Sequence, residues 1–454
     1  MQPPSKAGIV DSKIGALNGL RGIAIAMIVL YHLFIPYTGR NPLRPGEIDG
    51  DGFFAAFINN AWLGVNIFFV LSGFVLYLPY RTGRRAVGGV ADFRAFYLHR
   101  AQRLLPLYYI VVLVTVALHS KELYGSRDWY LELGALLSTL YIFSAHGFEP
   151  PSNVVLWSVS VEVLFSVLFP VFVLLVQRWR TPRVVVGTVM VCAAFAYIGY
   201  SISIERVGYF WPFTKGLFGS CYEFLLGMMV CDLYVKGLEN PVLRAKHSQL
   251  LLPGAVITVG ALYLMHHSAF VGLRILGNIG FAVGFAFVLL SILSGVIPLR
   301  RALEIWPLQV MGCMCYSIYA WHGIIMNEMI PPSTSSLSDT LRLLAPFLFV
   351  TLALSGLSYR YIEFGRERNW KALFLVTDAE RASAPMPANT VPVRSETMDG
   401  EALRLERPGQ TENIPVAKTP DHEGSALGTS SDAQLEPIAS QTEKDSTLRK
   451  TAAT

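Results

Sequence analysis

A chain of 454 residues that is 53% hydrophobic and only 15% charged, with a mean hydropathy of +0.44, is composed for lipid as its solvent and excludes a string of soluble domains. Residues 363–454 hold 11 basic and 15 acidic groups and the remainder 26 and 17, so the net charge of +5 hides a basic membrane part and an acidic tail. Such an excess of Lys and Arg records orientation in a bilayer and argues against a nucleic-acid partner.

Ten stretches are long and apolar enough to cross a hydrocarbon core of roughly 30 Å. They run Leu17–Tyr37, Trp62–Tyr80, Leu104–His119, Val155–Val176 and Val184–Ile204, then Gly216–Val235, Leu250–His266, Val271–Val296, Trp306–Ile330 and Leu341–Ile362. The expected fold is therefore all-α, a polytopic transmembrane helical bundle of about ten helices. The first stretch is long enough to span and carries Arg21, which reads as a retained signal-anchor helix, not a cleaved leader.

The loop after the second stretch carries Arg81, Arg84, Arg85, Arg94, Arg100 and Arg103 against Asp92 alone, which places it in the cytosol. Ten crossings then put both termini, the Lys236–His247 cluster and Arg300/Arg301 on that same side. An eleventh crossing at Leu131–Ala145 would move Arg178, Arg180 and Arg183 outside, so this segment reads as re-entrant or interfacial. Residues 1–376 form the membrane domain. Residues 377–454, rich in Ser, Thr, Pro, Glu and Lys with hardly an aromatic, form a disordered cytosolic tail. The five cysteines all lie in apolar stretches without a C-x-x-C pair, which leaves neither a disulfide framework nor a metal site.

Chemistry enters through ionisable groups inside the apolar stretches, where each costs a few kcal/mol and should face a partner or a watery cavity. Eleven residues separate Arg21 from His32, almost three helical turns, so both side chains share one face about 16 Å apart along the axis. An Arg that snorkels and a His at a helix end are the bland alternatives for each alone. Ser72-Gly73 reads as a close-packing spot. Arg100-x-x-Arg103, ahead of Pro106 at a helix start, suits a phosphate or pyrophosphate, with a positive-inside anchor as the alternative. Trp157-Ser158-x-Ser160-x-Glu162 sets a carboxylate a turn into apolar sequence with Ser158 on its face, and there the functional reading wins. The polar, aromatic run Cys315-Tyr316-Ser317-Ile318-Tyr319-Ala320-Trp321-His322 should line a cavity, whereas His266-His267 read as interfacial.

These segments together resemble the acyltransferase 3 family of integral membrane O-acyltransferases, in the family's order over about Leu17–Glu363. The matches are Leu20-Arg21-Gly22 with His32, Phe68-Phe69-Val70-Leu71-Ser72-Gly73-Phe74, and Arg100-x-x-Arg103 followed by Leu104-Leu105-Pro106-Leu107-Tyr108-Tyr109. To these add Trp157-Ser158-Val159-Ser160-Val161-Glu162, Tyr316-Ser317-Ile318-Tyr319-Ala320-Trp321-His322 and Ser358-Tyr359-Arg360-Tyr361-Ile362-Glu363. The sequence departs where Asn18 replaces the family's Asp, Val163 a second Glu, and Phe364-Gly365 an Arg-Pro. No hydrolase-like appendage of the kind some members carry is read in the sequence.

The resemblance implies an acyltransferase, of the class that moves groups other than aminoacyl, carrying an acyl group, most often acetyl, from cytosolic acyl-CoA to a hydroxyl of a sugar, lipid or other small acceptor. Arg100 and Arg103 would hold the CoA phosphates and Arg21 the donor channel. His32 would be the general base or a transient acyl carrier, with Glu162 orienting it. Ser72, Trp157, Ser158, Tyr316, Tyr319 and His322 would line the substrate cavity. The rival reading is a proton-coupled transporter using the same charged residues, but no internal repeat supports it.

Overall fold

Twenty apolar residues in hydrocarbon can satisfy their backbone polar groups only as helix. The computed structural model describes residues 14–34, 52–85, 88–118, 129–140, 143, 153–205, 211–330 and 337–363. Of these, 91% are helical and none is in a strand, with nine helices long and apolar enough to cross a membrane.

In chain order, α1 is Ile14–Phe34, the short α2 is Phe53–Asn59, α3 is Gly64–Arg81 and α4 is Val90–Leu118. Then come α5 (Trp129–Ser138), α6 (Trp157–Trp179), α7 (Thr181–Glu205), the single turn α8 (Trp211–Thr214) and α9 (Leu217–Glu239). They are followed by α10 (Pro241–Ser248), α11 (Leu251–His267), α12 (Val271–Ser294) and α13 (Ile297–Leu303). The chain continues through α14 (Trp306–Cys313), α15 (Cys315–Met329) and α16 (Leu337–Ser358), which ends in a π-helical turn at Tyr359–Glu363.

Two expectations are corrected. The ninth stretch, Trp306–Ile330, is not one helix: it breaks at Met314 (φ −90°, ψ 10°), so α14 and α15 meet at a bend beside Cys315. The third begins at Val90 rather than Leu104, fourteen residues earlier, and Pro106 lies inside α4 rather than at its start. Arg100 thus sits about 15 Å along a continuous helix instead of at a loop mouth. The Leu131–Ala145 segment begins in a ten-residue helix, too short to cross, held against α4 by the Tyr108 and Tyr109 hydroxyls donating to the Leu136 and Leu137 carbonyls at 2.6 and 3.1 Å. The tail assigned to 377–454 lies outside the described residues.

Between helices in lipid there is no hydrophobic drive, so close backbone approach and interlocking rings hold the bundle. A Cβ on Gly73 of α3 would lie 1.9 Å from the Phe224 carbonyl of α9, and one on Gly227 of α9 would lie 2.0 Å from the Val70 carbonyl of α3. Only glycine allows that seam, and it lets Phe224 stack between Phe69 and Phe165 at centroid distances of 4.5 and 3.8 Å. The outward faces of α6 and α7 stay apolar and exposed at Val167, Val171, Val186, Met190 and Tyr197, as a lipid-facing surface requires. The protein is an integral, multi-pass membrane protein.

Candidate active site

α1, α3, α4, α6 and α15 converge on a cleft lined by Arg21, Phe68, Phe69, Ser72, Arg103, Ser158, Glu162, Cys315, Tyr316 and Tyr319. Seven of the eleven side chains singled out in the sequence meet there: Arg21, Ser72, Arg103, Ser158, Glu162, Tyr316 and Tyr319. They come from five helices, so only the fold assembles them.

The partner expected for Glu162 was His32, and the structure gives it Arg100 instead. Arg100 Nη2 donates to Glu162 Oε1 at 2.7 Å, and Ser72 Oγ donates to the same oxygen at 3.2 Å. Arg100 Nε donates to Ser166 Oγ at 3.0 Å, and Ser166 Oγ donates to the Glu162 carbonyl at 2.7 Å, so the guanidinium is bracketed by one turn of α6. The physical reason lies in packing: residues three apart lie about 60° apart around a helix, and α6 covers Arg100 but not Arg103. Arg100 is buried against α6, while Arg103 is exposed and borders the cleft. Of the pair expected to bind phosphate, Arg103 alone keeps its guanidinium clear of Glu162.

Arg21 Nη1 donates to Asn18 Oδ1 at 3.1 Å, within the first turns of α1. Asn18 Nδ2 in turn reaches Cys313 Sγ at 3.7 Å across the bend of α14 and α15. The amide at position 18 therefore anchors Arg21 without neutralising it, leaving one net positive charge more in the cleft than an aspartate would.

His32 lies deeper, beyond Tyr319, and its neighbour is His322 of α15: His322 Nε2 and His32 Nδ1 are 3.3 Å apart, with ring centroids at 5.1 Å. The network assigns the protons. His322 Nδ1 faces two carbonyls, Tyr319 at 2.8 Å and Ile318 at 3.2 Å, which only accept, so that nitrogen carries hydrogen. Neutral His322 then offers an acceptor at Nε2. His32 Nδ1 faces this acceptor and the Ile28 carbonyl at 2.8 Å, so it too carries hydrogen, and the lone pair of His32 resides on Nε2.

Tyr319 divides the two levels. Its hydroxyl donates to the Val155 carbonyl and accepts from Ser158 Oγ at 2.7 Å, while its ring meets Phe68 at 6.5 Å and His322 at 5.6 Å. Tyr316 OH donates to the Leu104 carbonyl at 2.6 Å, tying α15 to α4, and Ser317 Oγ donates to Glu363 in the π-turn. Trp157 does not line this cleft; it packs edge-on against Phe69 and faces a second cleft beyond α3. His266 Nδ1 meets Asn59 Nδ2 at 3.2 Å at the end of α11.

The sequence reading missed the ionisable residues of that second cleft, Lys215, Glu223 and Arg274. A signal existed: Glu223 and Arg274 are charges inside apolar stretches, the same flag that raised Glu162.

A sequence profile for the family described as Acyltransferase domain matches residues 14–360. The peptidoglycan O-acetyltransferase OatA of Listeria monocytogenes is 22% identical over 380 residues, covering 78% of this chain and 56% of that protein. The putative peptidoglycan O-acetyltransferase YrhL of Bacillus subtilis is 24% identical, covering 77% of this chain and 54% of its own, and the O-acetyltransferase OatA of Staphylococcus aureus is 24% identical, covering 78% and 58%. This chain therefore spans a little over half the length of these relatives. No solved structure matches it.

Proposed function

The chain belongs to the acyltransferase domain family, and from that premise we propose that it is a membrane O-acetyltransferase that moves an acetyl group from acetyl-CoA to a hydroxyl of a saccharide acceptor, with peptidoglycan-type glycans, named for its relatives, as the first acceptors to try. The observation that carries the proposal is the His32–His322 pair set just past a cleft bordered by Arg21 and Arg103.

In this reading Arg103 meets the donor's phosphates from the α4 side and Arg21 supports the arm between them and His32. That arm must cross the roughly 16 Å separating Arg21 from His32 on α1, passing Tyr319. His32 Nε2 takes the proton of the acceptor hydroxyl as its oxygen attacks the thioester carbonyl. The C–O bond of the ester forms and the C–S bond breaks. The leaving thiolate then takes the proton from the imidazolium, returning His32 to its starting tautomer. His322 holds that tautomer through the Nδ1 hydrogen bond, and Glu162 holds Arg100 and Ser72 as the wall of the donor cleft. The Arg81, Arg84 and Arg85 end of the bundle is the cytosolic end by the positive-inside rule, which sets both termini there.

The test compares purified wild type with His32→Ala in detergent for acetyl-CoA binding and for acetyl transfer followed by mass spectrometry. Binding by both with turnover by wild type alone is the expected result. If neither binds acetyl-CoA or longer acyl-CoAs, the donor is wrong, and proton-coupled transport becomes the reading to test.

A further inference from the structure

A second cleft opens on the other side of α3, between α7, α9 and α12, and its wall includes Trp62 in the turn Ala61–Leu63 that packs against α1, the helix carrying His32. Its chemistry is unlike ordinary helix packing. Glu223 is 1% exposed, and its Oε2 is buried without a hydrogen-bond partner, as is Arg274 Nε. A buried carboxyl oxygen left unsatisfied is costly in hydrocarbon, and on a cleft wall it marks a place that a ligand's donor can complete. The Lys215 ammonium stands over the Trp62 ring at 4.9 Å and the Trp157 ring at 6.0 Å. On the remaining wall Asn66 Nδ2 donates to Asn278 Oδ1 at 2.7 Å, an amide pair with donors and an acceptor to spare.

We infer that this cleft is the acceptor site, and that it takes a hydroxylated ring bearing one acidic group, a carboxylate or a phosphate. The proposal deepens the transferase reading and rests on it for the direction of transfer. Indole faces suit the C–H face of a saccharide ring, while amides and a carboxylate suit its hydroxyls. Arg274 Nε is a donor still to be met on the cleft wall; a ring hydroxyl could accept from it, but an acid would engage the guanidinium by the stronger, charge-assisted bond. The partition between the clefts is the Phe69–Trp157 contact at 6.5 Å, so donor and acceptor approach from opposite sides of α3 and α6.

The experiment measures equilibrium binding of glucuronic acid, glucose 6-phosphate and glucose to the full chain in nanodiscs, for wild type, Arg274→Gln and Glu223→Gln, with acetyl-CoA binding read on each sample to report an intact fold. Wild type should prefer an acidic probe to glucose, and the better of the two names the acid. Arg274→Gln should erase that preference, weakening the acidic probe about 10- to 100-fold, as expected for loss of one charge-assisted bond. Glu223→Gln should weaken all the ring probes that bind. Equal binding of acidic and neutral rings by wild type overturns the charge assignment, and probes that bind nowhere or bind both variants unchanged overturn the site. If wild type fails to bind acetyl-CoA, the transferase reading falls, whereas sugar binding that responds to Arg274 would still stand.

Discussion

Two arginine–carboxylate pairs in this bundle have nearly the same length and different surroundings. Arg81 Nε meets Asp232 Oδ1 at 2.6 Å, with Lys236 Nζ on the other oxygen at 2.7 Å, at the ends of α3 and α9 where Arg81 is 27% and Lys236 48% exposed. Arg100 Nη2 meets Glu162 Oε1 at 2.7 Å in mid-bundle, with the arginine 6% exposed and the carboxylate bordering a cleft. At the first site both carboxylate oxygens are taken by cations, and none of the three side chains lines either cleft. At the second, a serine from a third helix and a cleft with two more arginines share the carboxylate's surroundings. Interatomic distance therefore says nothing about role: the decisive quantity is what else the fold brings to the same place, since a charge inside the membrane is retained only for a use that repays its desolvation.

The change with the greatest predicted consequence lies at the pole proposed as functional. His32→Ala should lower acetyl transfer about 10²- to 10⁴-fold, the range for loss of a positioned general base, while acetyl-CoA binding stays within about twofold. His322→Gln should cost about 10²-fold in kcat with KM little changed, because it disturbs the tautomer and position of His32 and not its presence. A His322→Gln enzyme with wild-type kcat would remove His322 from the mechanism and leave the pair as packing.

Glu162→Gln comes next. The amide keeps an oxygen for Arg100 and loses the charge, so turnover should fall about 10²-fold while protein level in the membrane falls far less. Equal loss of both would move Glu162 to the structural side of the comparison, alongside Asp232.

How much of this was legible beforehand differs between backbone and site. Nine of the ten expected stretches emerged as helices because twenty apolar residues leave the backbone no other choice in lipid. The bend at Met314 escaped because hydropathy runs evenly across Cys313-Met314-Cys315, and the early start of α4 escaped because its first turns carry Asp92, Arg94 and Arg100, which read as loop residues, although α6 covers Arg100. At the site, residue types on one helix were readable, as with Arg21 and His32. Pairings between helices were not: Glu162 has His32, His322, Arg21, Arg100 and Arg103 as formal candidates, and only the packing of α4 on α6 selects Arg100. Lys215 lies just outside the apolar stretches and becomes informative only when the fold sets it beside Glu223 and Arg274, which the sequence alone could have flagged as charges within such stretches.

The mildest change lies at the other pole. Asp232→Asn leaves Arg81 and Lys236 near a neutral acceptor at a place where both cations reach water or headgroups, Lys236 being half exposed. The lost attraction is therefore screened, and the change should cost about 1 kcal/mol or less, read as a small drop in the midpoint of thermal unfolding in detergent. Turnover per folded molecule should match wild type, because Arg81, Asp232 and Lys236 line neither cleft. The double variant Asp232→Asn/Glu162→Gln sharpens the point: with the two pairs on different helix faces and sharing no partner, its stability loss should equal the sum of the single losses within about 0.5 kcal/mol, and its turnover should equal that of Glu162→Gln. A turnover lower than the single variant's would mean that α3, which carries both Arg81 and Ser72, transmits strain from one pair to the other, and the two poles would then have to be treated as one network.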